Sequence, residues 1–294
     1  MRQYLQLLDR VLEQGEWMNN RTGIRTLRVE GAMLEFDLRL GFPAVTTKQL
    51  AFNAVKGELL GFIRGCDNAA QFRDLGCRVW DQNANENRQW LGSPYRRGPD
   101  DLGRIYGVQW RAWTSPNTGL ADEPHLNFID QLAIAVDKIE NNPTDRRIIV
   151  TAWNPGELNE MALPPCHLLF QLLPNPDTKE LSLCMYQRSC DLFLGIPFNI
   201  ASYALLLELI ARATGYTAKK LVMSLADAHI YENHLDQVKF QLTRMPFAGP
   251  TLRIGEIGGL RQLAGIEYLE SIQPHHIWLE GYAHHPAIKA PMAV

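Results

Sequence analysis

The chain has 294 residues, 46% of them hydrophobic and 21% charged, with a formal net charge of −3. These proportions are those of an ordinary globular enzyme, and the near-neutral balance leaves no electrostatic footprint for nucleic acid, so any anionic ligand has to be met locally. The five cysteines, Cys66, Cys77, Cys166, Cys184 and Cys190, are odd in number and lack CxxC spacing, which argues against a disulfide framework or a zinc site.

The opening MRQYLQLLDRVLEQGEW mixes charge into its apolar positions and lacks the unbroken apolar run of a signal peptide, which predicts a cytoplasmic chain with reduced thiols. Tyr4, Leu5, Leu8, Val11 and Leu12 mark one face of a first helix that stops near Gly15. Arg21 follows in the loop Asn20-Arg21-Thr22-Gly23. Leu27 and Val29, then Leu34, Phe36 and Leu38, flank Glu30-Gly31 and predict a pair of short strands. Between Lys48 and Arg64 apolar residues recur at helical spacing, and Glu58 falls among them, where a carboxylate needs a partner or a raised pKa. Trp80 is either core or a stacking platform. Residues 88–104, RQWLGSPYRRGPDDLGR, are rich in Pro, Gly and charge and read as a surface insertion. Asn127 to Asn141 reads as an amphipathic helix on Phe128, Leu132, Val136 and Ile139, and Arg146-Arg147 then open an apolar strand from Ile148 to Trp153.

The densest chemistry lies between Met161 and Ala204. Pro164-Pro165 break what precedes them, and the alternation Cys166, Leu168, Phe170, Leu172 predicts a strand with those residues on its buried face. Turn residues at Pro174-Asn175-Pro176-Asp177 and renewed alternation at Leu181, Leu183 and Met185 predict a hairpin that returns Arg188 beside Cys166. A guanidinium there favours thiolate over thiol and makes Cys166 a candidate nucleophile, against the alternative of a small buried hydrophobe. A Cys166–His167 dyad for hydrolysis or amide transfer is disfavoured, because neighbours on one strand point to opposite faces. Asn199 to Thr214 predicts a helix buried nearly all round, with Glu208, Arg212 and Gly215 arguing against a membrane span. Leu221-Val222-Met223 is strand-like and leads into Asp227-Ala228-His229-Ile230-Tyr231. A helix from Asn233 to Arg244 and strands near Leu252 and Ile277 to Leu279 complete an α+β chain with a large mixed β-sheet packed by helices, read as one domain over residues 1–294 because no linker, repeat or low-complexity tract divides it.

The run PPCH followed by YQRSCDLFLGIPFNIASYALL closely resembles the signature of the folate-dependent thymidylate synthase and pyrimidine hydroxymethylase family. Further resemblances are Asn20-Arg21-Thr22-Gly23, Phe42 to Lys48, Gly57-Glu58-Leu59-Leu60, Tyr106 to Arg111, Arg146 to Val150 and Ile288-Lys289-Ala290-Pro291, so nearly the whole chain is covered.

The resemblance implies a methyltransferase that converts dUMP to dTMP with 5,10-methylenetetrahydrofolate as cosubstrate, releasing dihydrofolate and using no metal. It implies Cys166 as nucleophile, Glu58 and Tyr106 as proton managers, and Asn199 and Asp191 as further catalytic groups. It places Arg21, Arg188, Gln187, Ser189, Asn199, His229 and Tyr231 on the nucleotide, with Arg146 and Arg147 reaching the phosphate of the neighbouring subunit in a homodimer formed across the sheet face. Trp80, Leu163, Asp191, Gly195, Phe198 and Val294 fall to the folate, and the tail from His284 to Val294 closes over ligand. Gly61, Gln82, Asn83 and Leu225-Ala226 depart from the family pattern, in a way that bears on the folate side. A dUMP or dCMP hydroxymethylase is the closest alternative; Asn199, which matches the uracil edge, argues against the cytosine version. A non-catalytic nucleotide- or RNA-binding protein is the distant one.

Overall fold

The computed structural model describes residues 1–116, 126–255 and 263–291. The first part of the chain forms α1 (Arg2–Gln14), β1 (Glu16–Met18), β2 (Thr26–Asp37), α2 (Phe52–Ile63) and α3 (Ala69–Asp74). Then come α4 (Asp81–Asn85), α5 (Arg88–Leu91), α6 (Tyr106–Arg111), β3 (Trp113–Pro116), β4 (Leu126–Ile129) and α7 (Gln131–Asn141). The rest supplies β5 (Ile149–Thr151), β6 (His167–Asn175), β7 (Glu180–Asp191), α8 (Gly195–Ala213), β8 (Thr217–Tyr231), α9 (Leu235–Leu242), β9 (Thr251–Ile254), α10 (Gly265–Ser271) and β10 (Ile277–Glu280).

Six strands form one mixed sheet in the order β1-β2-β8-β7-β6-β5, in which only β7 and β8 run parallel. A parallel pair needs a crossover, and α8 supplies it. The helix packs on β7 and β8, α2 packs on α8, and α1 covers β2. The unbroken run Ile200–Leu207 is buried, as expected of a helix enclosed on all sides. Its length and composition would allow a membrane crossing, but 78% of that apolar window is buried within the fold. Each Leu or Ile so enclosed contributes about 1.5–3 kcal/mol relative to exposure.

The sheet carries a line of irregularities that redirects its side chains. In β7 the buried positions Leu181, Leu183, Met185 and Gln187 give way to Cys190; in β8, Leu221, Met223 and Leu225 give way to Ala228 and Ile230; in β2, Val29 and Leu34 are both buried. Each strand changes which parity faces the core, near Arg188, Ala226 and Gly31, while the pairing register on either side is unchanged. One extra residue per strand at the same level achieves this, and Gly31 (φ +68°) adopts the left-handed backbone that such an insertion favours. In β6 the shift lies between His167 and Leu169.

These irregularities account for two departures from the sequence reading. The expected pair of short strands around Glu30-Gly31 is the single strand β2. The expected buried face of β6 is out of phase at its start: His167 is buried with Phe170 and Leu172, whereas Cys166, just ahead of the strand, is only partly buried. Two further expectations are corrected. The helix expected from Asn127 begins at Gln131, where Asp130 accepts from the Ala133 amide as N-cap, and Phe128 belongs to a strand and is exposed. Residues 88–104 are no loose surface insertion: Trp90 and Leu102 are buried, the Trp90 indole donates to the Asp101 carbonyl at 2.7 Å, and Arg97 pairs with Asp101 and Asp67.

Candidate active site

Cys166 follows the Pro164-Pro165 bend, and Arg188 secures that bend from the next strand. The Arg188 amide donates to the Cys166 carbonyl at 2.8 Å, while its guanidinium donates to the Pro165 and Pro164 carbonyls at 2.8 and 3.1 Å. The Cys166 amide in turn donates to the Tyr106 hydroxyl at 2.6 Å. Burial is the largest influence on the thiol and pushes it up; Arg188, Tyr106 and Arg21 pull it down and Asp191 adds to the rise. Arg188 therefore acts in the expected direction, but in the protein alone desolvation outweighs it.

Behind the cysteine lies an aromatic and acidic layer. His167 is buried, its Nδ1 lies 2.8 Å from the Tyr203 hydroxyl, and burial takes its pKa down to about 3, which keeps it neutral. With Nδ1 taken by Tyr203 and its pKa so low, it is a poor base for Cys166. Glu58, on α2 and buried, has its carboxyl pushed up to about 8 by desolvation, with Trp80 opposing. The Trp80 indole N–H is buried without closing a hydrogen bond of ordinary geometry. Phe62, Phe72 and Tyr106 surround the Trp80 ring, with centroids 6.1, 6.0 and 5.8 Å away. Phe72 also explains Gly61: a Cβ there would meet its ring at 2.3 Å, so the phenyl group occupies the space that a larger residue at 61 would need.

The strand ends and the start of α8 supply polar groups. Asn199 Oδ1 accepts from Gln187 Nε2 at 3.0 Å, and Gln187 Oε1 is buried without a partner. That contact fixes which way the Asn199 amide points. Asp191 accepts from the Phe193 and Leu194 amides at 2.9 and 3.1 Å, tying the end of β7 to the turn before α8. His229 pairs with Asp191 in the parallel register, holds Asp227 Oδ1 at 3.0 Å through Nδ1, and meets Tyr231 edge-on at 5.1 Å. Arg21 is exposed in an Asn20-capped turn, and its charge reaches both Cys166 and Tyr231. Ser189, Leu163, Gly195 and Phe198 are partly buried, and Leu163 and Phe198 pack against the core.

Other expected residues lie apart. Arg146 and Arg147 are exposed, and Arg147 pairs with its neighbour Asp145 at 2.9 Å. Leu225 and Ala226 stand within β8, lining with Arg28, Glu30, Tyr186 and Asp227 a concavity of about 730 Å³ on the outer sheet face, not among the rings around Trp80. Val294 lies outside the described residues. Sequence reasoning missed Lys48, buried, donating to the Phe193 carbonyl at 2.5 Å and lying over the Phe193 ring, with its pKa taken down to about 8 by burial. The signal was present in a lysine set between Thr46-Thr47 and an apolar helix. Among the described residues no three His, Cys, Asp or Glu side chains gather into a metal-holding cluster.

The family model described as "Thymidylate synthase" matches residues 2–294. A thymidylate synthase of Pseudomonas syringae pv. tomato is 49% identical over 323 aligned positions that cover both chains fully, and one of Bordetella parapertussis is 48% identical with the same coverage. A bifunctional dihydrofolate reductase-thymidylate synthase of Leishmania major is 45% identical over 299 positions, covering all of this chain and 55% of that protein.

Proposed function

Since the chain belongs to the thymidylate synthase family, we propose that residues 1–294 act as one catalytic domain that converts dUMP to dTMP. The observation that carries this is Cys166, held by Arg188 and Tyr106 within reach of the charges of Arg21 and Asp191, a setting suited to a nucleophile beside an anion. The hydroxymethylase reading gives way because the full-length relatives are named as synthases.

The pyrimidine C6 is a conjugate acceptor, and addition of the Cys166 sulfur there turns C5 into a nucleophile. A dianionic phosphate held by Arg21 and Arg188 adds negative charge, so the guanidiniums are best placed to serve phosphate and thiolate together. Asn199 meets the uracil edge with one donor and one acceptor, oriented by Gln187. His229 and Tyr231 face the sugar, while Gln187 and Ser189 line the nucleotide pocket. Glu58, protonated near neutrality, delivers and withdraws a proton at the base, and Tyr106, whose buried hydroxyl stays protonated and accepts from the Cys166 amide, helps remove the C5 proton by orienting the group that takes it.

The Trp80 ring and the Asp191 carboxylate at the head of α8 fit a flat, hydrogen-bonding pterin. Methylenetetrahydrofolate, when bound, supplies the one-carbon unit and the hydride. Trp80 and Leu163 would flank it, Asp191 would hold its ring, Gly195 and Phe198 would bound its approach, and Val294 would shut out water.

Two coarser features complete the proposal. Arg146 and Arg147 are exposed, the Arg146 carbonyl accepting from Gln171 in β6, and Met33, Tyr186, Leu169 and Leu173 leave the outer sheet face apolar and exposed, which supports a homodimer in which each subunit lends these arginines to the other's phosphate site. Five free cysteines support a reducing, cytoplasmic setting.

Incubation with dUMP and methylenetetrahydrofolate, followed by mass spectrometry and dihydrofolate absorbance, tests the reaction. dTMP and dihydrofolate are expected. A hydroxymethyl product without dihydrofolate would overturn it.

A further inference from the structure

His234 closes the short turn Glu232–His234 and is completely buried. Its Nε2 lies 2.7 Å from the Pro291 carbonyl. A carbonyl only accepts, so Nε2 carries the proton and donates. Nδ1 has no hydrogen-bond partner and faces Asp191 Oδ1 at 4.0 Å, the oxygen that also accepts the Phe193 and Leu194 amides. The ring is wedged between Phe193 and Tyr231, with centroids 5.4 and 5.6 Å away. A buried nitrogen left without a partner is a cost that an apolar residue in this slot would avoid.

The segment it grips is seated by other contacts ahead of Pro291. The His285 amide donates to the Thr46 carbonyl at 2.8 Å, Arg244 donates to the Pro286 carbonyl at 2.7 Å, and Ile288 and Ala290 pack against the core. On the other side, Lys48 holds the Phe193 carbonyl. The Asp191–Leu194 turn therefore sits between a lysine fixed by the body of the protein and an imidazole fixed by the carboxyl-terminal segment.

We propose that His234 is a positioning residue that couples the seating of the carboxyl-terminal segment to the placement of the Asp191 carboxylate. With Nε2–H pinned on Pro291, the ring presents its Nδ1 edge to Asp191 and confines the carboxylate to its amide contacts. When the segment leaves, the ring can turn and Asp191 is less restrained. This rests on the proposed reaction only in taking Asp191 as the group that receives the pterin; the latch itself is a matter of geometry.

Two independent measurements test it. In ¹⁵N-histidine spectra of the full chain, His234 should show a proton on Nε2 that exchanges slowly. In a chain ending at Ala290 that protection should fall by about tenfold or more. Unchanged exchange would overturn the latch, and this readout needs neither turnover nor a substituted histidine.

The second measurement is kinetic. His234→Phe should raise KM for methylenetetrahydrofolate about tenfold while the dUMP dissociation constant stays within about threefold, and His234→Gln, which keeps a donor, should recover part of the loss. In the chain ending at Ala290, His234→Phe should add less than about twofold. Equal effects in both backgrounds, or equal losses for dUMP and folate, would reduce His234 to a packing residue. Failure of the unsubstituted protein to form dTMP would strike the proposed reaction, leaving the latch to be judged by exchange.

Discussion

At Cys166 two influences of opposite sign meet, and burial is the larger. The free thiol should therefore alkylate slowly at neutral pH. Arg188→Ala, which removes a lowering influence, should slow iodoacetamide further; faster alkylation would contradict the assignment of Arg188 as the stabilising charge. Cys166→Ser should abolish turnover and leave dUMP affinity within about tenfold, roughly 1.4 kcal/mol, because the phosphate-facing arginines remain. Glu58 makes a second case. Its carboxyl ordinarily titrates near 4.5 and is held up to about 8, so in that window the folded chain keeps a proton that the unfolded chain releases. Stability must then fall as pH rises through the window, by up to about 1.4 kcal/mol per pH unit from this group. Glu58→Gln should remove that slope in urea unfolding measured between about pH 5 and 8, and should lower kcat by about 10²–10⁴-fold. An unfolding difference that does not vary with pH would refute the burial-driven shift.

Helix α2 shows why a glycine can be worth its entropy. Alanine is ordinarily better than glycine inside a helix by about 1 kcal/mol, yet at position 61 the added carbon would strike Phe72. Gly61→Ala is expected to destabilise by about 1–3 kcal/mol in urea titration, and by less once Phe72 is Leu. A clear gain in stability from Gly61→Ala alone would mean that Phe72 moves freely. The same comparison marks what the sequence could reveal. The apolar run of α8 and the turn residues of the β6–β7 hairpin announced their elements, and the hairpin duly set Arg188 beside Cys166. The change of face in β2, β7 and β8 did not announce itself, because each strand taken singly shows only a stray residue and the pattern exists only across strands. Nor could spacing reveal that the Cys166 thiol would be governed by burial, or that Phe72 fills the place beside Gly61, since both depend on how separate elements pack against each other.

For the whole molecule, the exposed arginines and the apolar outer face of the sheet lead to one outcome. Mixing an inactive Cys166→Ser chain with an inactive Arg147→Ala chain under conditions of subunit exchange should restore activity, because a hybrid dimer contains one site with both groups intact. Exchange demonstrated by mass spectrometry without recovered activity would remove Arg147 from the shared site.

The pairing of β2 with β8 places Thr26 against Tyr231, residues from opposite ends of the chain. During synthesis β2, paired with β1 and covered by α1, must wait for its other strand partner until β8 has left the ribosome, and β8 can join β7 only once the crossover through α8 has been made. Closure of so long a loop makes the sheet a late and slow event. Nascent chains that stop short of Thr217 would display the unpaired edge of β2 and the side of the apolar α8 that packs on β8, and would be natural clients for a holding chaperone.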